Sequence, residues 1–244
     1  MKKRGFLFLL TAVFLLSAAG CRRSPIQLPD AEYSVTITEE YRKAGGNTLK
    51  LMYPEILGYA DAELQQTVNQ KAAENAYALY EKRGLMPTED GGYAYTAKEA
   101  VVLLASKDFY SIYISGVIES EAGGDPEFFA YTVNADLRTG QLLSTEDLIS
   151  DYSGIAESFL DGKFQPDFGT ENPEENFTRQ SLIEQYKSEY GIYPYVYFRE
   201  GQFGLVLETL QSLGGCAGYL TDTRNVSAFL NTDNPVVAML CGME

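Results

Sequence analysis

The stretch Phe109-Tyr-Ser-Ile-Tyr-Ile-Ser-Gly-Val-Ile-Glu119 and, one turn later, Glu127-Phe-Phe-Ala-Tyr-Thr-Val-Asn-Ala-Asp-Leu137 decide the fold class. Their period is two. Tyr110, Ile112 and Ile114 share one face of the first segment. Phe129, Tyr131, Val133 and Ala135 share the core-facing side of the second. Both therefore read as strands. Ala122-Gly-Gly-Asp-Pro126 between them is hairpin chemistry, as is Ser106-Lys-Asp108 before them. Residues 93–104 read as a third strand, with room for a bulge.

Working outward, residues 32–39 alternate Tyr33, Val35 and Ile37 against polar neighbours, a half-buried strand. Gly45-Gly-Asn47 turns the chain into a strand over 48–53 that is expected to stop at Pro54. Asp61 is an N-cap, and a long helix should run to about Arg83 with Leu64, Val68, Ala72, Ala76 and Leu79 as its apolar stripe. Glu63 and Lys82-Arg83 complement its dipole, and Gly84 stops it. Thr145 opens a short helix and residues 153–160 a second. Residues 161–177 are rich in Gly, Pro and acids and read as a surface loop. Residues 178–190 form an amphipathic helix with Leu182, Ile183 and Tyr186 inward. Residues 195–199 and 203–208 form a hairpin around Glu200-Gly-Gln202. The sum is an α+β domain: one mainly antiparallel sheet, with a long helix and shorter helices packed on one face.

The N-terminus carries an address. Lys2, Lys3 and Arg4 precede the apolar run 6–16, which is too short to span a membrane, and then Ser17-Ala-Ala-Gly-Cys21. Ala18-Ala-Gly-Cys21 resembles a bacterial lipobox, with Ala18 where Leu is most common. That resemblance implies a signal peptide over residues 1–20 and lipidation of Cys21. It also implies a domain held outside the cytoplasmic membrane by two or more acyl chains. Residues 21–30, with Arg22-Arg23 near the head groups and two prolines, are expected to be a tether. Residues 31–244 are expected to form one domain.

Several stretches together resemble a bacterial extracytoplasmic domain found in lysozyme-sensing anti-sigma factors and appended to some polysaccharide deacetylases. They are Asp61-Ala-Glu-Leu-Gln-Gln-Thr-Val-Asn69, Gly123-Gly-Asp-Pro126 and Tyr131-Thr-Val-Asn-Ala-Asp-Leu-Arg-Thr-Gly140. Residues 142–149, Phe198-Arg-Glu-Gly-Gln-Phe-Gly-Leu-Val-Leu207 and Gly215-Cys-Ala-Gly218 complete the set. The resemblance covers about residues 32–220 and leaves 221–244 as a C-terminal tail. These motifs read as architecture: Asn69 should bond the backbone of a neighbouring strand, Asp136 the turn that follows it, and Gly140 should supply a positive φ. Asp125-Pro126 stand where the family commonly has a His. No transmembrane helix, cytoplasmic segment or deacetylase domain accompanies the match, so it carries a fold and an envelope setting.

Composition narrows the chemistry. The 244 residues hold no His, 19 Lys+Arg and 34 Asp+Glu, a net charge of −15. Loss of residues 1–20 removes Lys2, Lys3 and Arg4 and no acid, which takes the charge to −18. Imidazole-dependent triads and His-containing zinc sites are excluded, and nucleic acid is repelled. No EF-hand spacing appears among Asp151, Asp161 and Asp167, and no cofactor or metal is expected. Among the acids on strands, Glu119, Glu121, Asp136 and Glu208, no spacing singles out a glycosidase pair. With Cys21 lipidated, Cys216 and Cys241 remain as a candidate disulfide, the alternative being two buried thiols. Closing that loop of about 25 residues would contribute roughly 3 kcal/mol.

Tyrosine is abundant, 18 against no Trp. Tyr186, Tyr190, Tyr193, Tyr195 and Tyr197, with Glu184 and Glu189, make a candidate binding surface if they share an exposed face; the alternative is strand packing. The expected function is non-catalytic: a lipid-anchored, extracytoplasmic binding or sensing protein. Its partners would be the membrane through the lipid, and a cationic protein, lysozyme-like by resemblance, or peptidoglycan. A carboxylate-dependent wall-glycan hydrolase and a structural accessory lipoprotein are the alternatives.

Overall fold

The alternating stretches build the centre of a six-stranded sheet whose spatial order follows the chain: β1 (Ser34–Ala44), β2 (Asn47–Leu57), β3 (Tyr93–Ser106), β4 (Phe109–Ser120), β5 (Glu127–Asp136) and β6 (Gln141–Leu142). The structure is a computed structural model that describes Ile26 and residues 28–89, 91–169, 177–186, 195–209 and 215–243. All neighbours are antiparallel except β2 and β3, which pair in parallel over Thr48–Lys50. A parallel pair needs a crossover, and α1 (Ala62–Lys82) supplies it. Asp61 caps that helix by accepting from the amides of Glu63 and Leu64. β3 is bulged twice, between Ala97 and Glu99 and between Val102 and Leu104. β2 does not stop at Pro54. At that residue it has a partner on one side only, where a missing N–H costs no ladder bond.

One core lies between α1 and this sheet. Val68, Leu79 and Tyr80 meet Leu49, Leu51, Ile112, Ile114, Tyr131 and Val133, which are the faces that the alternation selects.

The expectation of a single sheet is corrected. A second, four-stranded antiparallel sheet has the order β7 (Gln165–Phe168), β10 (Cys216–Asp222), β9 (Gln202–Glu208) and β8 (Tyr195–Arg199). Two of its strands are masked by composition. β7 lies inside the acidic, Gly/Pro-rich stretch, and Pro166 is tolerated because β7 is an edge. β10 begins Cys-Ala-Gly, small residues that read as a turn.

The helices accordingly do not share one face of one sheet. Short α2 (Thr145–Leu148), closed by a Ser144–Asp147 capping box, leads into α3 (Tyr152–Leu160). Ile155 and Phe159 of α3, Leu182 of α4 (Arg179–Tyr186) and Val236, Val237 and Leu240 of α5 (Pro235–Leu240) pack with Phe198, Phe203 and Leu205 of the second sheet. The same core includes Val226 and Leu230, so the segment after residue 221 is structural.

Candidate functional site at the seam between the sheets

β4 and β5 are buried on both faces, and the second face is where the sheets meet. Ser111, Thr132 and Asn134, on the side turned away from α1, hold the outer edge of β8. Thr132 Oγ1 and Asn134 Nδ2 each donate to the Val196 carbonyl at 2.7 Å. Ser111 Oγ donates to Asn134 Oδ1 at 2.7 Å and accepts from the Phe198 amide at 3.0 Å. β8 has β9 on one side only, so its outward backbone groups would otherwise be buried without partners. Three short polar side chains replace the missing strand.

Beyond this polar seam the same face of β3–β5 opens into a groove of about 610 Å³. Its floor and wall are apolar or aromatic: Tyr113 and Val117 of β4, Phe128 of β5, and Phe168 and Cys216 of the second sheet. Tyr113 anchors the corner. Its ring lies 4.5 Å from that of Phe168, and its hydroxyl is 3.8 Å from Cys216 Sγ. Burial pushes the Cys216 thiol pKa up, opposed more weakly by the Tyr113 hydrogen bond, so the sulfur is held as a thiol rather than a nucleophile. Lys98, Glu99 and Glu119 also line it, and all three are exposed.

One glycine shapes this wall, and a second repeats the device in the core behind it. Gly218 of β10 sits directly opposite Phe168, whose ring would be 2.1 Å from a Cβ there. Gly204 of β9 sits opposite Tyr197, whose ring would be 2.2 Å away. In each case an aromatic ring lies flat over a bare backbone, filling the space that the glycine leaves.

The tyrosine surface expected from sequence is corrected where the structure describes it. Tyr197 is fully buried and donates to Asp167 at 2.8 Å, an acid that Arg199 also holds. Burial first, and Asp167 second, push its pKa far above the ordinary value. Tyr195 is half-buried and its ring packs edge-on to that of Tyr131. Two residues apart on β8, the pair share one face and both pack into the cluster at the seam. Glu184 is exposed and accepts from Gln180 at 2.7 Å. Tyr190, Tyr193, Glu189, the Tyr186 side chain and Cys21 lie outside the described residues.

The candidate disulfide is also corrected. Cys216 and Cys241 are both buried, unbridged thiols. Cys216 packs at the seam with Tyr113 and Tyr197, whereas Cys241 packs in the helical core with α5. Burial raises the Cys241 pKa to about 11.

The motif residues behave as architecture. Asn69 accepts from the Ile56 amide at 2.8 Å and donates to its carbonyl at 3.0 Å. Asp136 is buried, accepts from the Arg138 amide at 2.9 Å and is clamped by the same residue's guanidinium. Gly140, at φ 67°, lies against Leu64 at the start of α1, and its carbonyl accepts from Lys71 at 2.7 Å. Of the acids weighed for chemistry, Glu119 alone reaches the groove, while Glu121 accepts from the Gly92 amide at 3.0 Å. Among the described residues no three potential metal ligands cluster, and no helix is long and apolar enough to cross a membrane.

In structure the chain is similar to a member of the DUF3298 family from Bacteroides fragilis, with a TM-score of 0.50 and 14% identity over 88% of this chain and 99% of that one. The fold is of the DUF3298 kind. A DUF3298 family protein from Pseudomonas aeruginosa PAO1 aligns with a TM-score of 0.45 and 13% identity, covering 84% of this chain and 95% of that one. No protein-family model matches the sequence, and neither does any curated protein. The likeness concerns the fold alone, a domain type of unknown function.

Sequence reasoning singled out Glu119 and, for another role, Cys216, and missed the other groove residues described above. A signal was present: Tyr113 and Val117 are large apolar residues on the supposedly polar side of an alternating strand, so that side too had something to cover.

Proposed function

We propose that this chain is a non-catalytic binding or sensing lipoprotein of the cell envelope. It is anchored outside the cytoplasmic membrane through Cys21 and takes a basic ligand, a lysozyme-like protein or a cell-wall component, in the groove at the seam. The observation that carries the reading is the pairing of an aromatic floor with the exposed carboxylates Glu99 and Glu119, on a chain of net charge −15. Apolar surface of this kind is stabilised by being covered, and the surrounding acid favours a cationic partner.

Binding is favoured over glycan hydrolysis by strand register. Glu99 pairs with Ser115, four residues along β4 from Glu119, so the backbone positions of the two acids lie roughly 13 Å apart along the strands. A glycosidase pair needs about 5–10 Å.

Membranes bearing the full chain should capture a cationic muramidase or purified peptidoglycan at low salt and lose most of it at high salt. The double variant Glu99→Gln/Glu119→Gln should lose it as well. Capture of neither ligand sinks the binding reading. Palmitate labelling that persists in Cys21→Ala sinks the anchor.

A further inference from the structure

β1 is the outer edge of the six-stranded sheet, separated from the groove by β2, and no described residue pairs with its open side. An eleven-residue edge is long enough to template another strand. Which of its backbone groups face outward follows from the hairpin. The two-residue turn Gly45-Gly46 makes Ala44 and Asn47 a hydrogen-bonded pair, so Arg42 and Glu40 also bond β2 while Glu39, Tyr41 and Lys43 turn their backbone to the open edge. Pro54 agrees with this phase: it sits opposite Ile37, at a position whose missing N–H points away from β1.

The side chains along this edge have a particular order, Glu39-Glu40-Tyr41-Arg42-Lys43, acidic before Tyr41 and basic after it. Tyr41 is 72% exposed. We propose that β1 pairs antiparallel with β1 of a second copy of this chain about a two-fold axis at Tyr41, joining two six-stranded sheets into one. In that register Glu39 faces Lys43 of the other copy, Glu40 faces Arg42, and the two Tyr41 rings meet. The outward backbone of Tyr41 exchanges both its hydrogen bonds with its own copy.

Charge selects this register. A slip that moves the axis to Glu40 sets Glu40 against Glu40, and one that moves it to Arg42 sets Arg42 against Arg42. Within one chain Glu39 already holds Lys50 at 2.9 Å and Glu40 holds Arg42. All of these groups remain part-exposed and able to take a second partner.

The register is testable by cross-linking the full-length chain in membranes. At a hydrogen-bonded pair the two α-carbons are about 5.5 Å apart, within disulfide reach. Tyr41→Cys should therefore form a covalent dimer on mild oxidation, several-fold above the unsubstituted chain. Glu39→Cys and Lys43→Cys should each stay monomeric alone, because like positions are about 14 Å apart, and should dimerise when co-expressed. No Tyr41→Cys dimer in a chain with unchanged circular dichroism overturns the proposal. Lys43→Cys that cross-links alone as readily as Tyr41→Cys overturns it too, since random collision would then suffice. Independently, Glu39→Lys/Glu40→Lys should abolish association in sedimentation, and adding Arg42→Glu/Lys43→Glu should restore it. Failure to restore rejects the charge register.

Discussion

The Asn134 side-chain amide donates to the Val196 carbonyl at 2.7 Å, tying the centre of one sheet to the edge of the other. The bond is one of two on that carbonyl, the other coming from Thr132. Both donors lie on the face of β5 opposite to α1, so the polar half of an alternating strand here acts as a docking strip. That strip fixes where the second sheet stops, and the groove begins where it ends.

Removing one donor leaves the Val196 carbonyl a partner; removing both buries it unsatisfied. Thr132→Val alone should therefore destabilise by about 1 kcal/mol, and Asn134→Leu by more, because it also takes the acceptor from the buried Ser111 hydroxyl. The double variant should cost more than the sum, by about 1–3 kcal/mol. Urea unfolding of the four chains closes the cycle. Simple additivity would mean that the strip is not a cooperating unit.

Gly204→Ala places a Cβ 2.2 Å from the Tyr197 ring, and Gly218→Ala one at 2.1 Å from Phe168. The Tyr197 ring is fully buried and cannot lift freely, whereas Phe168 is half-buried beside the groove and has to shift; each variant should lose about 1–3 kcal/mol. Tyr197→Leu in the Gly204→Ala background should recover part of the loss. Gly218→Ala should also move Phe168 and weaken ligand capture at the groove, whereas Gly204→Ala should leave it intact.

The first sheet was legible because its strands follow simple rules. Phe129, Tyr131, Val133 and Ala135 alternate cleanly, and Asp61 and Gly84 bracket the helix between them. Asn69 and Asp136 were legible for a different reason: short polar side chains at such positions satisfy local backbone. In the second sheet the β8–β9 hairpin was legible, but β7, β10 and the separateness of the sheet were not, because they carry their information in partners. Gly204 and Gly218 make sense only under the rings of Tyr197 and Phe168, and Pro166 only on an edge. Tyr195 and Tyr197 read as surface or core with equal ease until the strip on β5 decides which side of β8 is covered.

The two thiols give a test of the unbridged state. Neither should react with a thiol reagent in the native chain, and both should react after denaturation without reductant; a bridge would leave none to react. For Cys241 the folded pKa of about 11 lies above the ordinary 9.0. Its contribution is fully present below pH 9 and is lost as pH rises through about 11, because the unfolded chain releases the proton first. Cys241→Ala should flatten stability over that interval relative to the parent chain.

Asn69 separates architecture from ligand binding. Its amide satisfies both backbone groups of Ile56, on a stretch of β2 that has no second strand beside it. Asn69→Ala leaves a buried donor and acceptor without that partner and should cost about 1–3 kcal/mol in chemical denaturation. It lies on the α1 side of the sheet, opposite to the groove, so ligand capture by the remaining folded chain should be unchanged. A variant that keeps its stability but loses capture would reassign Asn69, and the helix motif that carries it, from the scaffold to the site.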